Sequence, residues 1–203
     1  MTRFVVCAGL MALASCGVSV GPQERPELTY YHLSIPAPEP SSRPMDVDVV
    51  VMPFSQSSAL DRDGVRYRKS DVEGGFWENH LWVEPVESML RCQAQQYFVR
   101  SGRFRRVVLL EDAGYAGVLI MGEVVRFDEE DRDGGWIAVA EIDFDVVRRC
   151  VTADERDCVV LSRTYRCEEP VAEKSVPEIV RALSRATESI LAELGEDIGE
   201  VLK

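Results

Sequence analysis

Six cysteines and two histidines are the residues of this 203-residue chain best suited to reactive chemistry. Cys16 stands apart near the start, in "LASCG", while Cys92, Cys150, Cys158 and Cys167 come far downstream. The interval from Cys150 to Cys158 is too long for a zinc knuckle, and neither His32 nor His80 lies nearby. In an exported domain four cysteines read as two disulfides, with three possible pairings. Cys150 and Cys158 flank a loop between adjacent strands, which favours that pair and leaves Cys92 for Cys167 by elimination. Free or buried thiols are the alternative, and a metal site is the weakest reading. The chain has no G-x-S-x-G elbow, H-E-x-x-H helix, phosphate-binding loop or dinucleotide fingerprint. Two histidines leave little material for a Ser/His/Asp arrangement. A calcium loop started at Glu129 would use Asp131, Asp133 and Gly134, but Ala140 stands where the bidentate Glu belongs. A hairpin turn is the better reading of that stretch. The expectation is a protein that is not an enzyme and carries no cofactor or metal.

The setting of Cys16 gives it a different chemistry. Behind Met1, Thr2 and Arg3 runs "FVVCAGLMALAS", uncharged and too short to span a bilayer, with the length and order of a signal-peptide core. Leu13, Ala14 and Ser15 lead directly into Cys16, which resembles a bacterial lipobox. There the thiol takes a diacylglyceryl group and becomes the mature N-terminus, so residues 1–15 are expected to be removed. An ordinary signal with an incidental cysteine, like Cys7, is the alternative. Several acyl chains hold a membrane far more firmly than one. Gly17, where an Asp would favour inner-membrane retention, points to the outer membrane and places the domain on the periplasmic side.

The net charge of −12 would repel phosphate backbones, and no basic stripe offsets it, so nucleic acid is excluded as a partner. From Gly17 to Met45 six prolines make an extended, semi-rigid stretch, read as a tether over 16–45 with a short edge strand in "LTYYHLSIP". Residues 46–203 are then one domain.

Within that domain "MDVDVVVMPF" is a β-branched strand, and the D-G of "LDRDGVRYRKSD" suggests a brief strand or hairpin. "GGFWENHLW" reads as a loop rich in aromatic residues. Phe76, Trp77 and Trp82 in it are either a core edge or a contact surface, with Phe76 or Trp77 partly exposed against a partner or lipid and Trp82 buried. After Pro85, Val86, Met89, Leu90, Ala94, Tyr97 and Phe98 share a helical face that ends at Gly102. Strands are expected over 104–110, 115–127, 136–147 and 158–167. In the third of these Ile142, Phe144 and Val146 alternate with Glu141, Asp143 and Asp145. A final helix over 176–202 carries an apolar stripe from Ile179 to Ile198, with a capping box offered by Ser175 and Glu178. The order implies an α+β fold: a two-layer sandwich, two helices packed on one face of a mostly antiparallel sheet.

The motifs "LASC", "YYHLSIP", "VDVVVMPF", "LWVEPVESML" and "RSGRFRRVVL", followed by the last helix, resemble the ABC-type transport auxiliary lipoproteins that accompany Mce-type lipid transporters. The resemblance implies a small α/β domain without enzymatic activity. Its partners would be an Mce-domain substrate-binding protein and an ABC permease/ATPase complex moving lipid between inner and outer membranes, with phospholipid a possible ligand. Of the matching residues only Cys16 would have a chemical role; Trp82, Glu84, Gly102 and Phe104 would be structural marks. An envelope-assembly lipoprotein without a transporter is the alternative.

Overall fold

The computed structural model describes residues 27–57, 63–149 and 157–203. Cys16 and Cys150, and with them the anchor and the Cys150–Cys158 pair, lie outside the described residues.

The longest strands form one hairpin. β7 (Val118–Arg132) and β8 (Gly135–Arg148) pair antiparallel from Val118 opposite Arg148 to Arg132 opposite Gly135. Asp133 and Gly134 close it at φ 53° and 77°. Two positive φ values in a two-residue turn match the right-handed twist of the strands, and Asp-Gly is a sequence that accepts both. The acidic run "DEEDR" is therefore strand, and only Asp133-Gly134 is turn. β9 (Cys158–Pro170) continues antiparallel along β8.

The other edge of β7 is shared by three short strands, all parallel to it. β2 (Met45–Val51) pairs at Val118–Ile120, β3 (Ser55–Gln56) at Glu123–Val124 and β4 (Gly64–Arg68) at Glu129–Glu130. β6 (Phe104–Val108) lies parallel to β2. β5 (Gly74–Trp82) pairs antiparallel with β4, and β1 (Thr29–Tyr31) parallel with β5 at the margin. The sheet of nine described strands is thus mixed, which corrects the expectation of a mostly antiparallel one. Between β2 and β6 the chain passes through β3, β4, β5 and a helix, and a connection of that length can return a strand parallel to its neighbour. Alternation shows that one face of a strand is wet, but it does not fix the direction of the strands beside it. Val49, Val50 and Val51 are buried on both faces, as an interior parallel strand requires.

α1 (Val86–Ser101) and α2 (Val176–Val201) feed one buried cluster with the sheet. Met89, Leu90, Ala94 and Phe98 come from α1; Ile179, Leu183, Ala186, Ile190, Leu194 and Ile198 come from α2. Ser175 is the N-cap residue of α2, but no side-chain bond caps the helix; its carbonyl accepts from the Glu178 and Ile179 amides, and Glu178 pairs with Arg181.

Three further expectations are corrected. "GGFWENHLW" is strand β5, held by β4, rather than a loop. Part of the proline-bearing stretch belongs to the domain: Leu33 and Ile35 are buried, and the Ser41 amide donates to the Ser101 carbonyl. Cys92 and Cys167 are separate thiols, not a disulfide. Cys167 faces α2, where its thiol meets Ser189 and burial raises its pKa, whereas Cys92 lies on a flank of α1 with Gln95, Gln96 and Val99.

Gly102 ends α1 in the left-handed conformation, φ 57°, and a Cβ there would meet nothing within 4 Å. Gly102→Ala is therefore expected to cost only the backbone term, about 1 kcal/mol by urea denaturation. A loss several times larger would show a packing role for this position that its open surroundings do not support.

Candidate functional site

Where β4, β5 and the hairpin end of β7–β8 meet, three aromatic rings stand in a row. Tyr67 of β4 is in register with Gly75 of β5. A Cβ on Gly75 would lie 2.8 Å from the Tyr67 Oη, so the missing side chain makes room for that ring. The β4–β5 register breaks between Gly64 and Arg66, and Asn79 of β5 adopts φ 62°. Such irregularities bend a strand and re-aim its side chains, here Trp77 and its neighbours. The Trp77 ring lies 5.3 Å from Tyr67 and 5.1 Å from Trp136, the second residue of β8. Tilts of 58° and 52° are the offset arrangements that aromatic quadrupoles prefer. The chain's own ammonium groups sit at both ends, Lys69 at 5.7 Å from the Tyr67 ring and Lys174 at 5.5 Å from Trp136.

Beneath the rings is Glu129. It is in register with Tyr67 on one side and Ala138 on the other, and only 2% of its surface is exposed. Its Oε1 has no hydrogen-bond partner, and neither has the buried Trp77 Nε1. Burial foremost, then the charges of Asp131 and Asp128, push the Glu129 carboxyl up to about 7, with Lys174 opposing. The neighbouring Asp128 is a contrast. It is fully buried too, yet Arg126 donates to it at 2.7 Å and Arg68 stands at 3.5 Å. A groove of about 510 Å³ opens here, reaching from Glu129 and Asp131 to Glu78 and His80. His80 is held by Tyr31 through its Nδ1, at 2.9 Å. Apolar walls with a few convergent polar groups make this the candidate binding site of the described residues.

Phe76 and Trp77 are half-buried and line this groove, while Trp82 is buried in the core against Phe127. Cys158 is exposed at the start of β9, Cys92 and Cys167 are apart, and none of the three lines the groove. Sequence singles out neither Tyr67 nor Trp136 as a site residue, and Glu129 only as the start of the calcium loop it sets aside. A signal existed: counting back from an Asp133-Gly134 turn sets Trp136 opposite Asp131 and Glu129 opposite Ala138, on the buried face.

Comparison with known proteins places this architecture. The family model of the ABC-type transport auxiliary lipoprotein component matches residues 31–195. The chain belongs to that family. The match takes in all of α1, α2 as far as Gly195, the whole β7–β8 hairpin and every residue of the groove. Membership associates this auxiliary lipoprotein with an ABC transport system and with the cell envelope. The fold is similar to a crystal structure of a Xanthomonas campestris protein carrying the family model DUF330, at 20% identity and TM-score 0.71, over 82% of this chain and 92% of that one. An uncharacterized protein aligns at 18% identity and TM-score 0.59, over 85% and 99%. A hypothetical protein of Chlamydia trachomatis aligns at 6% identity and TM-score 0.52, over 76% and 96%. These likenesses are of fold. No curated protein matches the chain significantly. Among the described residues no helix of this auxiliary lipoprotein is long and apolar enough to cross a membrane.

The uncompensated carboxyl has a consequence for stability. Its folded pKa, about 7, lies above its ordinary value of 4.5, so the native state holds this proton more tightly than the unfolded chain does. The stability carried by the neutral form is complete below the ordinary value and is lost as pH rises through about 7. Glu129→Gln keeps the shape and removes the ionisation. It is expected to be more stable than wild type by on the order of 1–3 kcal/mol at about pH 8, with the gap closing towards about pH 4. Denaturant midpoints of both proteins across that range check it; a pH-independent gap would contradict the shifted carboxyl.

Proposed function

We propose that this protein is a non-enzymatic accessory of an Mce-associated ABC lipid transporter, anchored through acyl chains on Cys16 to the outer membrane. In this reading the domain works on the periplasmic side with an Mce-domain substrate-binding protein and an ABC permease and ATPase. The observation that carries it is the match of the transport auxiliary family over residues 31–195. Two features of the chain support it. The "LASC" lipobox supplies an anchor chemistry, and Gly17 after it fits outer-membrane sorting. The groove walled by Tyr67, Trp77 and Trp136 supplies a surface for binding a partner or a lipid, since half-exposed aromatics clustered around polar groups are typical of contact sites.

Position 78 tests the reading, because Glu78 is exposed at the groove beside Trp77 and its replacement spares the rings. A photo-crosslinking residue there, in cells that express the transporter, is expected to capture an Mce-domain protein or phospholipid. Capture of neither would sink the transport role of this groove, and capture of an assembly factor alone would favour an envelope-assembly lipoprotein. The anchor is checked separately. Cys16→Ala is expected to leave an uncleaved precursor without acyl chains, and a wild-type mature protein that begins elsewhere and is unacylated would refute it.

A further inference from the structure

We propose that the groove over Glu129 is a binding site for a primary ammonium group that carries an oxygen acceptor three bonds away, as in an amino alcohol or an ethanolamine-type headgroup. This does not rest on the transporter reading, and either can fail without the other.

Four observations carry it. Glu129 is 2% exposed, forms part of the lining, and its Oε1 lacks any donor. A buried carboxylate in that condition is costly, and a donor that also brings positive charge satisfies both its needs at once. The residues around it raise the demand: Asp128, Glu130 and Asp131 on β7 add negative charge, and Lys174, ahead of α2, opposes them. Arg68, which could have served, is turned to Asp128, and Lys69 is paired with Glu73 at 3.3 Å. The rings above attract cations through their faces, as the chain's own Lys69 and Lys174 demonstrate on Tyr67 and Trp136. Trp77, between them, carries no cation among the described residues. Finally, the Trp77 Nε1 is a buried donor without an acceptor. A ligand with N–H donors at one end and an oxygen close by would complete the carboxylate and the indole together. A quaternary ammonium could not, because it has no N–H to give Glu129. A bound ammonium reaches Glu129 with a shift of the half-buried Trp77 or Trp136 ring, which gives binding an optical signature.

The test is a titration of the full-length purified protein in detergent, at about pH 8 where Glu129 is ionised, followed by tryptophan fluorescence. Ethanolamine and phosphoethanolamine are the probes, with 1-propanol as a neutral control of similar shape and choline as the ammonium without N–H. A saturable change is expected for the two amines, with choline weaker and the alcohol silent. Glu129→Gln is expected to weaken amine binding at least about tenfold, the effect of losing one charged hydrogen bond, and Trp77→Phe several-fold. Vesicles of phosphatidylethanolamine, compared with phosphatidylglycerol, separate the sources. A response to the ethanolamine lipid assigns the site to a headgroup, and a response to the soluble amines alone assigns it to a free amine. No saturable change with any amine, an equal response to 1-propanol, or undiminished binding by a folded Glu129→Gln protein would overturn the proposal.

Discussion

The β7–β8 hairpin is the constraint on which the rest depends. Its two-residue Asp133-Gly134 turn fixes a register that runs unbroken to Arg126 opposite Glu141 and, past one irregularity, on to Val118 opposite Arg148. That register decides which residues face the helices. It aligns Ala138, Ala140, Ile142, Phe144 and Val146 under α2, and it leaves the far edge of β7 long enough to receive β2, β3 and β4 one after another. A slip of one residue would exchange the two faces of the hairpin and turn the acids Glu141, Asp143 and Asp145 into the core. The short parallel strands depend on β7 for their placement, because none of them is long enough to define a sheet alone.

The same register distributes charge. Asp128 and Glu129 are consecutive, so they point to opposite faces, and each is buried. On the outer face Arg126 and Arg68 reach Asp128, and Arg132 links Glu130 to Glu168 of β9. On the inner face Glu129 finds aromatic rings. A comparable arginine clamp acts at the other end of the sheet, where Arg105 and Arg106 hold the Asp48 carboxyl well below the usual carboxylate range. Among the described residues the buried Asp48 and Asp128 are thus paired with arginines, while Glu129 has no such partner beneath its aromatic roof. A perturbed group of that kind in a cleft is a candidate for function.

Much of this was legible in the sequence where the signal is local. The α2 stripe from Ile179 to Ile198, the α1 face ending at Gly102, and the alternation of Ile142, Phe144 and Val146 all appear as read. What was not legible is non-local. Whether β2 runs parallel to β6 and β7 depends on crossovers, not on the pattern within a strand. The two glycines that open β5 make that stretch look like a loop; with the turn of the backbone at Asn79 they let Tyr67 and Trp77 pack. Glu129 was hidden in an acidic run that looks solvated throughout, although half of it faces inward. The family resemblance, carried by "VDVVVMPF", "LWVEPVESML" and "RSGRFRRVVL", was legible because those motifs are local too.

Glu129 is a carboxyl held inside the fold without a hydrogen-bond partner for its Oε1. Carbon-13 NMR of the Glu129 side-chain carboxyl, followed across a pH titration of the intact protein, measures that directly. A midpoint near 7 is expected from its burial and from the charges of Asp131 and Asp128. A midpoint at the ordinary glutamate value would mean that water or a cation already serves this carboxylate, and would contradict the uncompensated site.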